Sequence, residues 1–233
     1  MKRRKQASAL ALAALALAAG PASASLVYLQ NETLGGTGLG AVSTVLTLQS
    51  PGNTSTESGS IAFNGSGDVV TGNTQALNST FSLGQIGSTS ASDIRIVFNA
   101  VEPGPQSSIT LASLVLAIYS PTGALLFSSG AFTPITFAAP AGNGIGNSGF
   151  LFGLDAAQAA AAQLAAYSGP FANNRIGLLA SLSDAQGGIE TFFVGSTNNG
   201  VGTAPLPVSE PATLALLGLA FTGAALSRRR RKA

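Results

Sequence analysis

Short stretches of alternating apolar and polar residues constrain the fold of this chain more than any other feature. The alternation is clearest in residues 94–100, 114–118 and 176–182. Because successive side chains of a β-strand point to opposite faces of a sheet, a period of two predicts strands with one buried face. The residues predicted to lie on these buried faces are Ile94, Ile96, Phe98, Ala100, Leu114, Leu116, Ile118, Ile176, Leu178, Ala180 and Leu182.

Other short apolar stretches predict more strands, and clusters of turn-forming residues separate them. Glycine, proline, asparagine and serine are frequent in residues 50–60, 64–68, 102–105 and 120–123. Strands and helices do not alternate as a parallel sheet would require. The sequence therefore predicts a mainly β fold, an antiparallel β-sandwich of the jelly-roll type. The additional strands are predicted in residues 41–49, 60–64, 123–129, 149–154 and 189–195.

One alanine-rich stretch, residues 155–168, predicts a helix within this β fold. Asp155 has the side chain of a helix N-cap, and Gln158 stands three residues later, where a capping-box partner is expected. Gly169 is expected to end the helix. Because its side chains are small and few are charged, we expect the helix to pack on an edge or an end of the sandwich.

The 233 residues include no cysteine and no histidine. Disulfide bonds are therefore impossible, and the fold must depend on its own core. Zinc sites built on cysteine or histidine, haem ligation and histidine-activated nucleophiles are excluded as well. We predict that the protein is not an enzyme, has no catalytic residue and binds no metal or cofactor.

Carboxylates are the remaining candidates for acid–base or metal chemistry. The acidic residues in the middle of the chain are scattered, as Glu102 in a predicted loop and Glu190 at a predicted strand start illustrate. We interpret them as solvated acids, since a glycoside hydrolase would need two carboxylates close together. Asn64 with Asp68, or Asp93 with a neighbouring loop, could offer oxygen ligands to calcium, but polar turns produce the same pattern.

Aromatic residues bear on carbohydrate binding, which often uses flat aromatic surfaces. The chain has no tryptophan, and its tyrosines are Tyr28, Tyr119 and Tyr167. Four phenylalanines lie in apolar strands, where a place in the core is expected. These are Phe98, Phe152, Phe192 and Phe193.

Positive charge is concentrated at the two ends of the chain. Between Ser25 and Ser209, two arginines stand against eight carboxylates, which gives a formal charge of −6. Because nucleic-acid binding needs clustered lysine and arginine on the folded surface, we exclude nucleic acid as a partner.

Residues 1–24 have the three parts of a secretory signal peptide. A basic start precedes an apolar run, and the small residues Ala22 and Ala24 form a cleavage box. We predict cleavage after Ala24 by signal peptidase. The alternative is an uncleaved membrane anchor, although the apolar run is shorter than the ~20 residues of a typical span.

The C-terminal region has an apolar run at residues 212–226, followed by Arg228, Arg229, Arg230, Arg231 and Lys232. Basic residues stay on the cytoplasmic side of a membrane. We therefore predict a transmembrane helix at 212–226 that stops export, with the basic cluster inside and the middle of the chain outside.

Residues 209–233 resemble the PEP-CTERM sorting segment of exported Gram-negative proteins, in which a Pro-Glu-Pro motif precedes an apolar helix and an arginine cluster. Glu210 and Pro211 match this motif, and Ser209 replaces its first proline. The resemblance implies a transient complex with exosortase, removal of the tail near the motif, and delivery to the cell surface or extracellular polysaccharide matrix. The alternative is a C-terminal anchor that is never processed.

These features divide the chain into a signal peptide (1–24), a β-sandwich domain (25–196), a linker (197–208) and a sorting segment (209–233). The predicted function is that of an exported surface or extracellular-matrix protein, associated with exopolysaccharide or biofilm. A carbohydrate-binding module is the alternative, and a glycan-acting hydrolase is a weaker one. Extracellular polysaccharide is accordingly the predicted lasting partner.

Overall fold

A computed structural model describes residues 25–32, 43–50, 54–75, 77–100, 108–138 and 149–202. The predicted signal peptide and sorting segment lie outside these residues. The described part is mainly β, with antiparallel sheets and one α-helix, as the sequence predicts. Among the described residues, no helix has the length and apolar content needed to span a bilayer.

The strands and the helix are numbered in chain order. The strands are β1 (Leu26–Glu32), β2 (Ser43–Leu48), β3 (Thr56–Phe63), β4 (Asp68–Gly72), β5 (Phe81–Ser82), β6 (Ile94–Asn99), β7 (Ser108–Tyr119), β8 (Leu125–Ser128), β9 (Ile135–Ala138), β10 (Gly149–Leu154), β11 (Arg175–Ser183) and β12 (Glu190–Ser196), and the helix is α1 (Ala156–Ala166).

The strands form two antiparallel sheets. The first has the order β1-β10-β6-β12-β2, and the second has the order β4-β3-β11-β7-β8. Two short strands complete the second sheet, since β5 pairs with the start of β11 and β9 pairs with the start of β7. Strands that are distant in sequence thus become neighbours in both sheets.

The facing sides of the two sheets share one hydrophobic core. All of the residues that alternation predicts to be buried belong to this core, and each is at most 6% exposed. Phe98 of β6 stacks on Phe192 of β12, with ring centroids 4.9 Å apart. Burial of such a side chain stabilises the fold by about 1.5–3 kcal/mol, so many contributions of this size replace the missing disulfides.

A second, smaller cluster covers the outer face of the first sheet. Val97, Leu151 and Val201 are fully buried there, and Phe193 is partly buried against them. The prediction that Phe193 lies in the main core is therefore wrong, because Phe192 and Phe193 point to opposite faces of β12. Phe98, Phe152 and Phe192 do lie in the main core.

The chain remains packed beyond the end of β12. Thr197–Asn199 form a 3₁₀ turn, and Val201 is 0% exposed. Asn199 donates a hydrogen bond from Nδ2 to the backbone oxygen of Ile86, at 2.9 Å. The first residues of the predicted linker thus lie against the β-domain.

Helix α1 begins as predicted, since the Asp155 side chain accepts a hydrogen bond from the backbone nitrogen of Gln158 at 2.8 Å. The predicted capping box is wrong, because the Gln158 side chain accepts instead from the nitrogen of Gly130. The helix packs against β8, β10 and the 3₁₀ turn Ala91–Asp93. It buries only the small side chains of Ala159, Ala162 and Ala166.

Candidate functional site

A cleft of about 460 Å³ opens at one end of the second sheet. Strands β3, β5 and β11 reach it, and the turns that follow β5 and β7 complete its wall. Its lining combines one cation, polar side chains and two apolar surfaces. The lining residues are Phe63, Ser82, Gln85, Pro121, Asn173 and Arg175.

Arg175, the first residue of β11, provides the positive charge of the cleft. Its guanidinium carbon lies 4.8 Å from the centroid of the Phe63 ring, a cation–π contact. Its Nε donates to Oγ1 of Thr80 at 2.7 Å, and its Nη2 donates to the backbone oxygen of Thr80 at 2.5 Å. Nη1 has no hydrogen-bond partner within the described residues, and Arg175 lines the cleft.

Thr80 connects this guanidinium to a carboxylate. The backbone nitrogen of Thr80 donates to Oδ2 of Asp68 at 3.0 Å, and its hydroxyl donates to Oδ1 of the same carboxylate. Thr80 is 1% exposed, whereas Asp68 is exposed, so the contact is partly buried. Asp68 therefore holds Thr80, and Thr80 holds the Arg175 side chain in one orientation.

Two turns that meet at the rim position Phe63 and Pro121. Gly65, in the turn after β3, has φ +91°, and Gly123, in the turn after β7, has φ +85°. A Cβ on Gly123 would overlap the backbone of Asn64. Both positions therefore need glycine, for the left-handed backbone and for the close approach of the turns.

Exposed amides form the polar side of the cleft. Asn173 ends the 3₁₀ turn Phe171–Asn173, and its side chain is exposed. Oε1 of Gln85 accepts from the Ser82 nitrogen at 2.8 Å, which leaves the amide NH₂ of Gln85 available. The cleft therefore presents hydrogen-bond donors around a fixed cation, and its lining lacks a nucleophile with an adjacent base.

The candidate calcium ligands are occupied by hydrogen bonds. The side-chain oxygen of Asn64 accepts from the nitrogens of Ser66 and Gly67, both at 2.9 Å, in an Asx turn. Asp68 accepts from Thr80, as described above. Within the described residues, no three Asp or Glu side chains are close enough together to hold a metal ion.

Asp93 caps a turn. Its Oδ2 accepts from the nitrogen and hydroxyl of Thr89, from the nitrogen of Ser90 and from Nδ2 of Asn198, at 2.9 to 3.2 Å. Burial alone would raise the pKa of Asp93, but these hydrogen bonds together lower it below its ordinary value. The carboxylate also attaches the segment after β12 to the domain.

Two acids are buried, so their interpretation as solvated carboxylates is wrong. Glu190 is 0% exposed and Glu57 is 1% exposed. Glu190 lies on the same face of β12 as the core residue Phe192, and Glu57 lies on the same face of β3 as the core residue Ile61. Oε1 of Glu57 accepts from the nitrogen of Ser50 at 2.6 Å. Neither acid lines the cleft.

Residues 207–231 match the family model of the PEP-CTERM protein-sorting motif. The chain carries a PEP-CTERM sorting motif. This motif implies an exported protein that is sorted by exosortase through a membrane-anchored precursor. No significant match is found among curated proteins or among solved structures.

The PEP-CTERM match includes Ser209, Glu210 and Pro211, and also the arginines 228–231, as the resemblance predicts. These residues, Lys232 and the predicted cleavage box at Ala22 and Ala24 lie outside the described residues. The sorting segment and the cleft are thus separate candidate sites on one chain.

Tyr167 and Tyr28 pack against other side chains of the domain. Tyr167 is 6% exposed, and its hydroxyl lies 2.6 Å from the Ser88 hydroxyl oxygen. Burial raises the pKa of Tyr167 above its ordinary value. Tyr28 packs edge-on against Phe137 and Phe152.

The sequence analysis did not predict the cleft. The feature of the sequence that could have indicated it is Arg175, one of two arginines between the charged ends of the chain.

Proposed function

We propose that this PEP-CTERM protein is delivered to the cell surface or extracellular matrix, where its β-domain acts without catalysis. The observation that carries the proposal is the sorting motif at residues 207–231. The signal-peptide pattern of residues 1–24 supports the same route, because it directs the middle of the chain across the membrane. Signal peptidase and exosortase are its transient partners.

The strand order supports the jelly-roll assignment for the β-domain. The sheets contain the orders β2-β12-β6-β10 and β3-β11-β7-β8, so β2, β3, β6 and β7 alternate between them, and so do β8, β10, β11 and β12. Two interleaved Greek keys produce this alternation in a jelly roll.

The assignment as a non-enzyme is supported by the placement of the acids. Glu57 and Glu190 are buried, and Asp68 and Asp93 are committed to hydrogen bonds that hold turns and side chains. A glycoside hydrolase would need a pair of carboxylates that substrate can reach. The cleft lining provides no carboxylate, so it favours carbohydrate binding over hydrolysis as the second candidate function.

Mass spectrometry of the protein recovered from cells with and without exosortase tests the route. We expect a mature chain that begins at Ser25 and lacks its basic tail when exosortase is present, and a chain with the tail when it is absent. A tail retained in both strains would refute exosortase processing. Retention of residues 1–24 would refute cleavage after Ala24.

Two variants make this test specific. We expect a double change, Glu210→Ala with Pro211→Ala, to leave the tail attached in cells that contain exosortase. Ser209→Pro restores the first proline of the motif and should be processed at least as well as the natural chain. Normal processing of the double variant would show that the tail is removed by another route.

A further inference from the structure

We propose that the cleft between Phe63 and Arg175 binds a carboxylated sugar unit of an acidic polysaccharide. The inference rests on the extracellular function proposed above and adds the chemical class of the ligand. It is argued from the charge of the cleft, the arrangement of its donors and its apolar walls.

The cleft concentrates the accessible positive charge of the β-domain. Arg95 and Arg175 are the two arginines between Ser25 and Ser209, where the formal charge is −6. Arg95 is 3% exposed, and its Nη1 donates to the backbone oxygens of Ser92 and Ile94. Arg175 is partly exposed and lines the cleft. Of these two arginines, Arg175 is therefore the one that an anion in solution can contact.

The guanidinium is oriented before a ligand arrives. Nε and Nη2 are held by Thr80, and the Phe63 ring lies beneath the guanidinium. The guanidinium is thereby held in place while Nη1 has no partner within the described residues, and little side-chain entropy is lost on binding. A carboxylate is a strong acceptor for such a group, because the hydrogen bond is charge-assisted.

The rest of the lining suits a hydroxylated ligand. The Asn173 amide and the free NH₂ of Gln85 can bond to sugar hydroxyls, since amides both donate and accept. Phe63 and Pro121 provide apolar surface for the C–H face of a sugar ring. The volume of about 460 Å³ lies within the range of roughly 300–1,000 Å³ typical of small-molecule sites.

The single guanidinium decides between carboxylated and neutral sugars. A neutral sugar would cover Arg175 without neutralising it, which costs free energy of desolvation. The Asp68 carboxylate contacts Thr80 and not the guanidinium itself, so Nη1 stays available to one further carboxylate. The ligand expected there is a uronic acid residue within a chain.

Calorimetry on the full chain in a mild detergent tests the proposal at about 0.15 M salt, where the Debye length of ~8 Å screens distant charges. The probes are a trisaccharide of galacturonic acid and the neutral trisaccharide of galactose with the same linkage. We expect the carboxylated probe to bind at least about tenfold more tightly, and Arg175→Gln to remove this difference. Equal affinity for the two probes, or an unchanged preference in folded Arg175→Gln, would overturn the proposal.

Arg175 also contributes to packing, so a second variant keeps the test valid if Arg175→Gln fails to fold. Asn173 is exposed, and its side chain makes no hydrogen bond within the described residues. Asn173→Ala should preserve the melting temperature and weaken binding of the carboxylated probe by about threefold, the loss of one neutral hydrogen bond. Unchanged affinity in this variant would refute the site.

The basic tail provides the matched control. Changing Arg228, Arg229, Arg230 and Arg231 to glutamine removes charges that attract any polyanion, and we expect it to leave the affinity for the carboxylated trisaccharide unchanged. Loss of binding in this variant would move the interaction to the tail and overturn the proposal. Sorting is measured separately by mass spectrometry, so failure of the cleft proposal and failure of the sorting proposal are distinguishable.

Discussion

The backbone nitrogen of Ser25 lies 3.0 Å from Oδ2 of Asp155, the residue that caps helix α1. The backbone oxygen of Ser25 in turn accepts from the nitrogen of Asp155, at 3.4 Å. The first residue after the predicted signal-peptide cleavage site is thus attached at both its nitrogen and its oxygen to the start of the helix. Cleavage after Ala24 would convert this nitrogen into an α-ammonium group beside a carboxylate.

We therefore predict that Asp155→Asn destabilises the cleaved protein more than the uncleaved chain. Asparagine caps a helix about as well as aspartate, so the hydrogen bond to Gln158 is retained and the negative charge is lost. In the cleaved protein the loss of the ion pair should cost about 0.2–1 kcal/mol, and salt should reduce this cost.

Thermal melting of both forms at low and high salt measures this difference. Asp155→Ala serves as the control, because it also removes the cap and should destabilise both forms by about 1 kcal/mol. Equal effects of Asp155→Asn on the two forms would contradict the ion pair.

Asp93 should make the stability of the β-domain depend on pH in acid. Its pKa is lower in the folded protein than its ordinary value, so its contribution is present above the ordinary pKa. That contribution is lost as the pH falls through the folded pKa. Melting temperatures measured from pH 6 downwards should fall less steeply in Asp93→Asn than in the natural chain. Parallel curves would show that the four hydrogen bonds of Asp93 do not stabilise its charged form.

Gly123→Ala should destabilise the fold and disturb the rim of the cleft. The substitution places a side chain at φ +85°, and its Cβ meets the backbone of Asn64. We expect a loss of more than about 1 kcal/mol in chemical denaturation. Gly169→Ala is the matched control, because its φ is +99° but nothing lies within 4 Å of the added Cβ. Equal losses in the two variants would mean that backbone strain, and not the contact between the turns, sets the cost.

Val201 should stabilise the domain although it lies in the predicted linker. Val201→Ala removes a fully buried side chain from the outer cluster, and we expect a loss of about 1–2 kcal/mol in chemical denaturation. Val70 on β4 is 40% exposed and provides the control, since Val70→Ala should have a smaller effect. A negligible effect of Val201→Ala would place the end of the stable domain at β12.

The predictions from sequence succeeded where a strand has one buried face. β6, β7 and β11 all contain the predicted alternation, and their apolar faces lie in the main core. β4 was missed because all of its residues are exposed, so no alternation marks it. β1 was missed as well, although Leu26 at its start is buried in the core. The helix cap was identified from Asp155 alone, because an N-cap is a local interaction.

The cleft could not be predicted in the same way. Arg175 and Thr80 are separated by 95 positions, and no spacing in the sequence relates them. Their contact follows from the pairing of β5 with β11, which is a property of the second sheet. The burial of Glu57 was missed for the same reason, since its Oε1 accepts from the nitrogen of Ser50, which follows β2 of the other sheet.

The sequence by itself determined the β character of the domain, the faces of its main strands, the helix cap and the sorting motif. Each of these features depends on residues that are close together along the chain. The tertiary structure decided which distant strands became neighbours, and thereby the cleft, the contact between Ser25 and Asp155 and the burial of the two glutamates. The physical reason is that local periodicity and capping depend on the geometry of one strand or helix. The environment of a side chain depends instead on the packing of two sheets whose neighbouring strands lie far apart in sequence.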